Sequence, residues 1–509
     1  MRPSFEFDVV VVGGGAAGCA CVAHLCGLGD LRICLVEAGP DYGPASRGAW
    51  PADLLDPRRL PASHDWGFAE QREDAQLPEP RAKVIGGCST HNQCAAVWGL
   101  PSDYDRWADL GDDSSWSYDA LRPLFNELEQ AEAGVPAYRG RGGLLPTRAY
   151  REQELASWQR TFLDAAQERG YGWVADLSSP EPAEGAGAFQ VNIHDDQRWN
   201  AAFAFLDPLR EQRSLIILDR LLADRLLFHD GQAEAVLCRR GGEQVELRAR
   251  QFVLAAGTYG SPAILLRSGI GPAADLERLG IDLVGEVDGV GANLHDHPGV
   301  AIEFAPSPAA HRELSVDLAT GRFHQSQAVL RAQGHSLHVL PYQAAREGER
   351  WSFHLVAFAM APASRGVLSL RSKDPSASPR IEFDFLSDAD GADLMILRDG
   401  VAEIRRLAAT RALAERAQMS SDFDRKPVVN SDAAIRANVT GYGHAVGTCR
   451  LGPSNDPEAV ADVDGLVRTT TNVRVADASF MPVIPAANTN LTAMLIGWRL
   501  AEPVAAAAH

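Results

Sequence analysis

The sequence predicts a mixed α/β fold that begins with a nucleotide-binding βαβ unit. Residues 7–12 read FDVVVV, a β-branched run typical of a strand buried on both faces. A small-residue segment, AAGCACVAHL, follows as a helix, and residues 31–37, LRICLVE, read as a second strand that ends in an acid. Further along, residues 351–360 have the aromatic and β-branched content of a strand, and residues 392–410 have a helical period.

The composition narrows the possible functions. The chain has 509 residues, of which 46% are hydrophobic and 23% charged, which leaves room for two domains and a large core. A net charge of −19 argues against nucleic acids and anionic membranes as partners. No apolar run reaches the roughly 18 residues of a transmembrane helix, and no signal-peptide pattern precedes the first strand. We therefore expect a cytoplasmic protein without a membrane partner.

A glycine fingerprint joins the first predicted strand to the first predicted helix. Gly13, Gly15 and Gly18 form GxGxxG, and Glu37 follows 19 residues after the last of them. Glycines at these positions permit a tight turn and close approach of a pyrophosphate to the backbone and the helix N-terminus. Glu37 can accept hydrogen bonds from ribose hydroxyls and disfavours a 2′-phosphate. The motif predicts a dinucleotide site but leaves FAD and NAD open.

The cysteines do not indicate a metal centre or a disulfide framework. The chain has eight cysteines, and none forms a CxxC pair. Cys19 and Cys21 lie on a predicted helix, where residues two apart point to nearly opposite sides. We expect these cysteines to be small packing residues.

Four further segments follow the fingerprint and carry a family resemblance. They are AKVIGGCSTHNQCAAVWG at residues 82–99, GTYGSPAILLRSGIGP at 257–272, GYGHAVGTCRLGP at 441–453, and VADASFMPVIPAANTNLTAMLIGWRLAE at 475–502. In this order, they resemble the glucose-methanol-choline (GMC) family of FAD-dependent oxidoreductases. The resemblance runs from the first strand to the last helix and selects FAD as the expected cofactor.

The resemblance implies a discontinuous two-domain architecture. A Rossmann-like FAD-binding domain would comprise residues 1–147, 190–300 and 440–509. A substrate domain of residues 148–189 and 301–439 would be built on an antiparallel sheet. Residues 366–388 resemble a hairpin of that domain, and we expect exposed loops at 178–188 and 304–314, which are rich in Pro, Ala, Gly or Glu.

Two residues of the C-terminal segments match the catalytic positions of the family. Oxidation of an alcohol removes a hydroxyl proton and a hydride, and a neutral imidazole suits the proton because its pKa lies near neutrality. The resemblance assigns the base to His444 and the second position, which is His or Asn in the family, to Asn488. Asn488 can donate a hydrogen bond but cannot titrate. Its alternative role is a helix cap, and Asn490 is the rival position.

The resemblance also yields a set of cofactor-binding residues. Asp477 resembles the family residue beside the ribityl chain and pyrophosphate. The alternating His295 and His297 in NLHDHPG suggest a metal by spacing, but the stretch resembles a structural turn of the family, and we expect no metal. The expected cofactor-binding residues are Gly13, Gly15, Gly18, Glu37, Gly86, Gly87, Ser89, His91, Asn92, Leu221, Asp477, Ala478, Asn488 and Asn490.

His91 distinguishes this chain within the family. Choline oxidases carry GGCSSHN, in which the histidine is covalently joined to the flavin 8-methyl carbon, and this chain reads GGCSTHN. A neutral imidazole nitrogen is a good nucleophile toward that methyl carbon. We therefore expect FAD bound covalently through His91. The alternative is a non-covalent loop histidine near the flavin edge.

The likeness to choline oxidases does not extend to their substrate. There, a Glu that faces the trimethylammonium head follows the His-Pro of the turn, whereas Pro298 is followed here by Gly299. The C-terminal segment looks like oxidases of aryl and furanic alcohols, which favours an uncharged primary or secondary alcohol. We expect an oxidase that uses O2. The alternatives are a dehydrogenase that reduces a quinone or another carrier, including natural-product or mycofactocin-type tailoring, and a lyase or photodecarboxylase on the same fold.

Overall fold

The computed structural model describes residues 6–72, 75–132, 138–346, 350–419 and 432–509. The predicted mixed α/β class, with a Rossmann-like unit at the N-terminus, is confirmed. The described helices are Ala16–Gly27, Ala52–Leu55, Pro101–Gly111, Tyr118–Leu128, Ser157–Glu168, Gly257–Arg267, Ala273–Arg278, Pro308–Ala319, Ala392–Ala408, Arg411–Ala414, Asp432–Asn438 and Asn490–Ala508.

The N-terminal strand lies in the middle of the first large sheet. Phe7–Val12 pairs in parallel with Ile33–Val36 on one side and with the end of Glu243–Leu254 on the other. Nearly all of its side chains are buried, as its β-branched run predicts. Across this sheet, the described strands are Leu215–Leu218, Ile33–Val36, Phe7–Val12, Glu243–Leu254, Gln232–Arg240 and Leu222–His229, with Val473–Val475 paired to Glu243–Leu254.

The C-terminal helix packs on the βαβ unit. Asn490–Ala508 lies along Ala16–Gly27. The two helices approach closely because Gly497 has no side chain: a Cβ there would lie 2.1 Å from the carbonyl oxygen of Ala17. The last segment of the chain is therefore held against the first.

The second large sheet is antiparallel, as the family resemblance implies. Its described strands, in order, are Ala417–Met419, Pro298–Pro306, Arg350–Ala359, Leu337–Arg346, Ala328–Ala332 and Gly185–Ala188, with Thr440–Gly441 paired to Pro298–Pro306. Because side chains alternate along a strand, the sheet has two distinct faces. Val339 packs in a cluster beneath the helix Ala392–Ala408, whereas Leu340 packs in another cluster with Ala487, next to Asn488.

A smaller sheet confirms the predicted hairpin. Val367–Ser369 and Arg380–Glu382 pair antiparallel within the predicted residues 366–388. The second of these strands also pairs with Phe68–Arg72, which pairs in turn with Ala75–Glu79. The hairpin is thus tied to a segment that precedes the second glycine motif.

Both loop predictions are wrong in part. Residues 304–306 complete a strand, and Pro308–Ala319 is a helix that begins with Ser307 accepting a hydrogen bond from the Ala310 N–H. Proline at the first helical position and serine before it are helix-start signals, which the Pro- and Ala-rich composition concealed. Similarly, Gly185–Ala188 is an edge strand of the second sheet, so only the residues before it lie in a connecting segment.

The predicted domain boundaries stay predictions. The strand Pro298–Pro306 belongs to the second sheet and begins before the predicted boundary at residue 300, and its partner Thr440–Gly441 lies beyond the boundary at 439. In the described part of the chain, no helix combines the length and apolarity needed to cross a membrane.

Candidate active site

The first glycine turn is sterically restricted to glycine. Gly13 has a φ of +107°, and a Cβ on it would lie 2.3 Å from the carbonyl oxygen of Ala255. A Cβ on Gly18 would lie 1.9 Å from the carbonyl oxygen of Gly13, so the helix can start this close to the strand only with glycine there. Gly15 precedes the first helical residue, and no side chain caps the helix. The N–H groups of this helix end are available to an anion.

Glu37, directly after the second strand, stabilises this turn by accepting backbone hydrogen bonds. One carboxylate oxygen accepts the Gly14 N–H at 2.9 Å, and the other accepts the Gly39 N–H at 2.7 Å. Burial raises the pKa of Glu37, and the backbone N–H donors oppose that rise. The Leu221 N–H donates to the Glu37 carbonyl at 2.9 Å, which places the buried Leu221 beside it. Sequence reasoning assigned Glu37 only to a ribose; it also holds the loop.

The second glycine turn lies directly against the first. Gly86 and Gly87 have φ values of +88° and +52°, and the Gly86 N–H donates to the Gly14 carbonyl at 2.6 Å. A Cβ on Gly87 would lie 2.6 Å from the Cα of Gly15. Two motifs about 70 residues apart in the chain therefore form one glycine-lined cradle, in which a planar ligand can approach the backbone.

Ser89 and Asn92 shape the same turn from within. The Ser89 hydroxyl donates to the Gly86 carbonyl at 2.6 Å and accepts the Ala201 N–H at 2.9 Å. The Asn92 side-chain oxygen accepts the Cys94 N–H at 3.0 Å. Both side chains are thus engaged with the backbone, and their contribution to a cofactor site is to fix the loop.

His91 ends the short helical turn Gly87–Thr90 and is buried in the cradle wall. Its Nε2 atom is buried without a hydrogen-bond partner. Burial lowers the pKa of His91, nearby Arg198 lowers it further, and a backbone hydrogen bond with Ser63 raises it. A buried nitrogen without a partner, next to the two glycine turns, is compatible with a flavin at this position.

Asp477 is fully engaged with protein donors. One carboxylate oxygen accepts from the Gly257 N–H at 2.8 Å and the Ser261 hydroxyl at 2.6 Å, and the other accepts from the Ser479 N–H and hydroxyl. The Ala478 carbonyl accepts the Gly447 N–H at 3.2 Å. The Asp477 side chain therefore joins the start of the helix Gly257–Arg267 to its own segment, and Ala478 joins that segment to the His444 loop.

The structure brings His444 and Asn488 together. The Nε2 atom of His444 lies 3.2 Å from the amide nitrogen of Asn488. Burial lowers the pKa of His444 well below its usual range, and His297 and Arg81 lower it further. His444 is therefore neutral at physiological pH.

Asn488 precedes the last helix without capping it. The helix begins at Asn490, the residue before it is Thr489, and its N-cap has no side-chain hydrogen bond. The amide nitrogen of Asn490 is buried without a partner. The capping alternative for Asn488 is thus not what the structure shows. Asn490 lies two residues further on, at the first position of the helix, and the contact with His444 is made by Asn488.

His297 determines which nitrogen of His444 carries the proton. The Nε2 atom of His297 lies 3.1 Å from the Pro485 carbonyl, which can only accept, so Nε2 is protonated. Burial lowers the pKa of His297 to about 3, so its Nδ1 carries a lone pair and accepts from His444 Nδ1 at 3.2 Å. The proton of neutral His444 therefore lies on Nδ1, and Nε2, which faces Asn488, is a free base. In addition to the structural role expected for its turn, His297 thus positions the proton of His444.

Asp296 holds the loop that carries His444. Its carboxylate accepts the N–H groups of Gly443, His444 and His297 at 2.8, 3.0 and 2.7 Å. Burial raises the pKa of Asp296 to about 7, and nearby Glu79 adds to the rise. Donor atoms of Asp296, His297 and His444 lie within 4.8 Å of one another, as in a metal site. Each is already bonded within the protein, so hydrogen bonding accounts for the cluster.

Two further features of the site were not predicted from the sequence. The Asp103 carboxylate accepts the Ala486 N–H at 2.9 Å and so fixes the AANTN loop from the helix Pro101–Gly111. The Tyr442 ring lies 4.2 Å from the His444 ring and stacks on Phe358 at 4.0 Å. Tyr442 is two residues before the base, a position visible in the motif, but its stacking partner Phe358 lies far away in the sequence, in the strand Arg350–Ala359.

The tautomer assignment predicts the outcome of replacing His297. In His297→Leu, the Nδ1–H of His444 loses its acceptor, worth about 1 kcal/mol, and the two tautomers become comparably populated. Nitrogen NMR of protein labelled at histidine should show an unprotonated Nε2 on His444 in the wild type and a tautomer mixture in the variant. His444→Asn identifies the signal. A wild-type signal with the proton on Nε2 would contradict the assignment.

Comparisons with known proteins identify the family of the chain. Family models described as GMC oxidoreductase match residues 7–299 and 362–497. The choline oxidase of Arthrobacter globiformis is 30% identical over 99% of this chain and 95% of its own length, and an oxygen-dependent choline dehydrogenase of Brucella canis is 31% identical over 98% and 95%.

Solved structures match over the whole chain. Pyridoxine 4-oxidase from Mesorbium loti has a TM-score of 0.88 at 26% identity, covering 98% of this chain and 99% of its own. A fungal aryl-alcohol oxidase has a TM-score of 0.76 at 19% identity, covering 99% of both chains, which supports the fold alone. The chain therefore belongs to the GMC oxidoreductase family and is an FAD-dependent oxidoreductase that acts on alcohols.

Proposed function

We propose that the protein oxidises an alcohol to a carbonyl compound with His444 as the general base. The observation that carries the proposal is the unprotonated Nε2 of His444, which lies beside the Asn488 amide. The other ring nitrogen, Nδ1, donates a hydrogen bond to His297. Bound FAD supplies the hydride acceptor, so the alcohol loses a hydride to the flavin and a proton to the protein.

The residues around the base perform the proton transfer. The substrate hydroxyl would lie between His444 Nε2, which takes its proton, and the Asn488 amide, which donates to the oxygen as negative charge develops. A donor placed at such a position typically contributes roughly 3 kcal/mol to transition-state stabilisation. Because the pKa of His444 is depressed, the proton is released readily after the product leaves, and the base remains unprotonated as the pH falls through neutrality.

The cofactor would lie along the glycine cradle. Gly13, Gly15 and Gly18 would hold the pyrophosphate, and Glu37 would accept from the ribose. The turn from Gly86 to Asn92 would flank the flavin ring. The remaining expected contacts are Leu221, Asp477, Ala478, Asn488 and Asn490.

Replacement of the base provides the test of function. His444→Ala should keep bound flavin yet reduce it roughly 100- to 10,000-fold more slowly, because the hydroxyl proton has no acceptor. Anaerobic stopped-flow absorbance at the flavin band, with a panel of primary and secondary alcohols, measures this rate. His229→Ala, at an exposed histidine, is the matched control. Flavin reduction at a near-normal rate in His444→Ala would exclude His444 as the base.

We also propose that FAD is attached covalently to Nε2 of His91. The buried, unpartnered Nε2 and the depressed pKa of the ring support a neutral nucleophile at this position. Formation of the C–N bond removes one hydrogen from the flavin methyl group and one from the imidazole, and these two protons and two electrons pass to the acceptor that reoxidises the enzyme. One of the named relatives is a choline oxidase, the class of enzyme whose motif GGCSTHN resembles.

If FAD is attached covalently, the yellow flavin should stay with the protein after denaturation. Acid precipitation of the wild type should leave a yellow pellet, whereas His91→Ala should release its flavin into the supernatant. His444→Ala, which keeps His91, should behave as the wild type does. A colourless wild-type pellet would show that FAD is held non-covalently.

Oxygen is the proposed electron acceptor. Support comes from the names of the relatives, which include choline oxidase, oxygen-dependent choline dehydrogenase and pyridoxine 4-oxidase. When reduced enzyme is mixed with air-saturated buffer, reoxidation should be much faster than that of free reduced flavin. A rate no faster than free flavin would favour a dehydrogenase that reduces a quinone or another carrier. Failure of every alcohol in the panel to reduce the flavin would favour a lyase or a photodecarboxylase.

A further inference from the structure

A buried arginine lies on the face of the second sheet that is turned toward the active site. Arg331 is in the strand Ala328–Ala332 and is 2% exposed. Residues two apart on a strand share a face, so Arg331 points to the same side as Val329. Val329 packs in a cluster with Ala487, the residue before Asn488. The arginine therefore shares the space between the sheet and the catalytic loop.

A row of paired residues leads from this arginine to the base. Arg331 is paired with His338, and His338 is paired with Phe358 on the next strand. Phe358 stacks on Tyr442, whose ring is 4.2 Å from that of His444. Two strand spacings, roughly 10 Å, thus separate the backbone of Arg331 from that of Phe358. A long side chain such as arginine reaches across part of this distance.

The guanidinium group of Arg331 forms no salt bridge in the described parts of the chain. Its Nη1 donates to the Leu177 carbonyl at 2.6 Å, and its Nε is buried without a partner. Asp103 and Asp176 act on it electrostatically, but both carboxylates are bonded to other groups: Asp176 pairs with Arg139, and Asp103 accepts backbone N–H groups. Burial lowers the pKa of Arg331 to about 10, although Asp103 and Asp176 oppose that fall, and the side chain stays charged at neutral pH. A buried charge without a directly bonded ion partner is costly, and an anionic ligand would compensate it.

His338 adds a second unsatisfied group next to Arg331. Its side chain is 3% exposed, and its Nε2 is buried without a partner. Burial lowers the pKa of His338 well below its usual range, with further lowering by Arg331 and His297. His338 is therefore neutral, and a neutral imidazole can donate one hydrogen bond to an anion that Arg331 holds.

The other end of the same row has no space for the carboxylate that choline oxidases use. Gly299 is paired with Phe358, and a Cβ on Gly299 would lie 2.3 Å from the Phe358 ring. The glutamate that follows the His-Pro pair in choline oxidases therefore does not fit here without a shift of that ring. The charged residue in this row is the buried Arg331, which suits an anion and not a cation.

We propose, on the basis of the proposed alcohol oxidation, that the substrate is an alcohol that carries a carboxylate, bound by Arg331 and His338 while the carbinol group lies at His444 and Asn488. A guanidinium group matches a carboxylate in geometry and in unit charge. The spacing along the sheet fits a substrate whose hydroxyl and carboxylate are separated by a chain of several carbons or an aromatic ring. This replaces the expectation of an uncharged alcohol.

The test separates binding from oxidation. Oxidised holoenzyme is titrated with 4-methylbenzoate and with the neutral isostere 4-methylbenzamide, neither of which has a hydroxyl, and binding is followed at the flavin absorption band. The wild type should bind the carboxylate at least 10-fold more tightly than the amide. Arg331→Met should weaken carboxylate binding roughly 10- to 100-fold and leave amide binding unchanged, as expected for loss of a charge-assisted hydrogen bond.

Matched controls isolate the role of the charge. Arg312→Met removes an exposed arginine from the helix Pro308–Ala319 and should bind both ligands as the wild type does. Arg331→Lys keeps the charge and should retain part of the preference. Equal affinity of the wild type for carboxylate and amide would overturn the proposal even if Arg331→Met fails to fold.

Oxidation is then measured on the corresponding alcohols. Anaerobic flavin reduction by 4-(hydroxymethyl)benzoate should be half-saturated at a concentration at least 10-fold lower than with 4-(hydroxymethyl)benzamide. Reduction by both alcohols without a preference in binding would contradict the carboxylate site and leave the proposed oxidation intact. A binding preference with no reduction by any alcohol would contradict the proposed oxidation alone.

Discussion

The hydrogen-bonded chain from the Pro485 carbonyl through His297 to His444 is the interaction on which the rest of the site depends. A carbonyl can only accept, so this chain fixes the proton positions on both imidazole rings and leaves a lone pair on His444 Nε2. Pro485 lies three residues before Asn488 in the same loop. One loop therefore sets the tautomer of the base and places the donor that faces it.

The scaffold around this chain is built from residues far apart in sequence. Asp296 holds the His444 loop through the N–H groups of Gly443 and His444. Asp477 accepts the Gly257 N–H, and its neighbour Ala478 accepts the N–H of Gly447 in the His444 loop. Asp103 holds the Asn488 loop from a third direction. These buried carboxylates accept backbone hydrogen bonds, which fixes the loops around the base.

The sequence was sufficient for the parts of the protein in which one local pattern determines the structure. The strand–glycine–helix unit, the hairpin within residues 366–388 and the family motifs around His91, His444 and Asn488 could all be identified from spacing and resemblance. The contact between the two glycine turns could not, because it depends on steric clearance between Gly15 and Gly87. The role of His297 could not be predicted either, because its partner His444 is 147 residues away in the sequence.

The wrong loop prediction for residues 304–314 also has a physical cause. Residues 304–314 resembled a loop by composition, but Ser307 and a proline at the first helical position are a helix start, and the residues before them are paired in a sheet. Arg331 gave no signal in the sequence, because a charged residue in a strand is ordinarily on a solvated face. Only the pairing of strands shows that this face is turned toward the catalytic loop.

The central claim is that His444 presents an unprotonated Nε2 to the substrate hydroxyl beside Asn488. The most direct measurement is a crystal structure of the anaerobically reduced holoenzyme with an alcohol bound. We predict the alcohol oxygen at about 2.6–3.2 Å from both His444 Nε2 and the Asn488 amide nitrogen, with His297 still bonded to His444 Nδ1. An alcohol oxygen held by other residues, or a His444 ring turned so that Nδ1 faces the alcohol, would contradict the account.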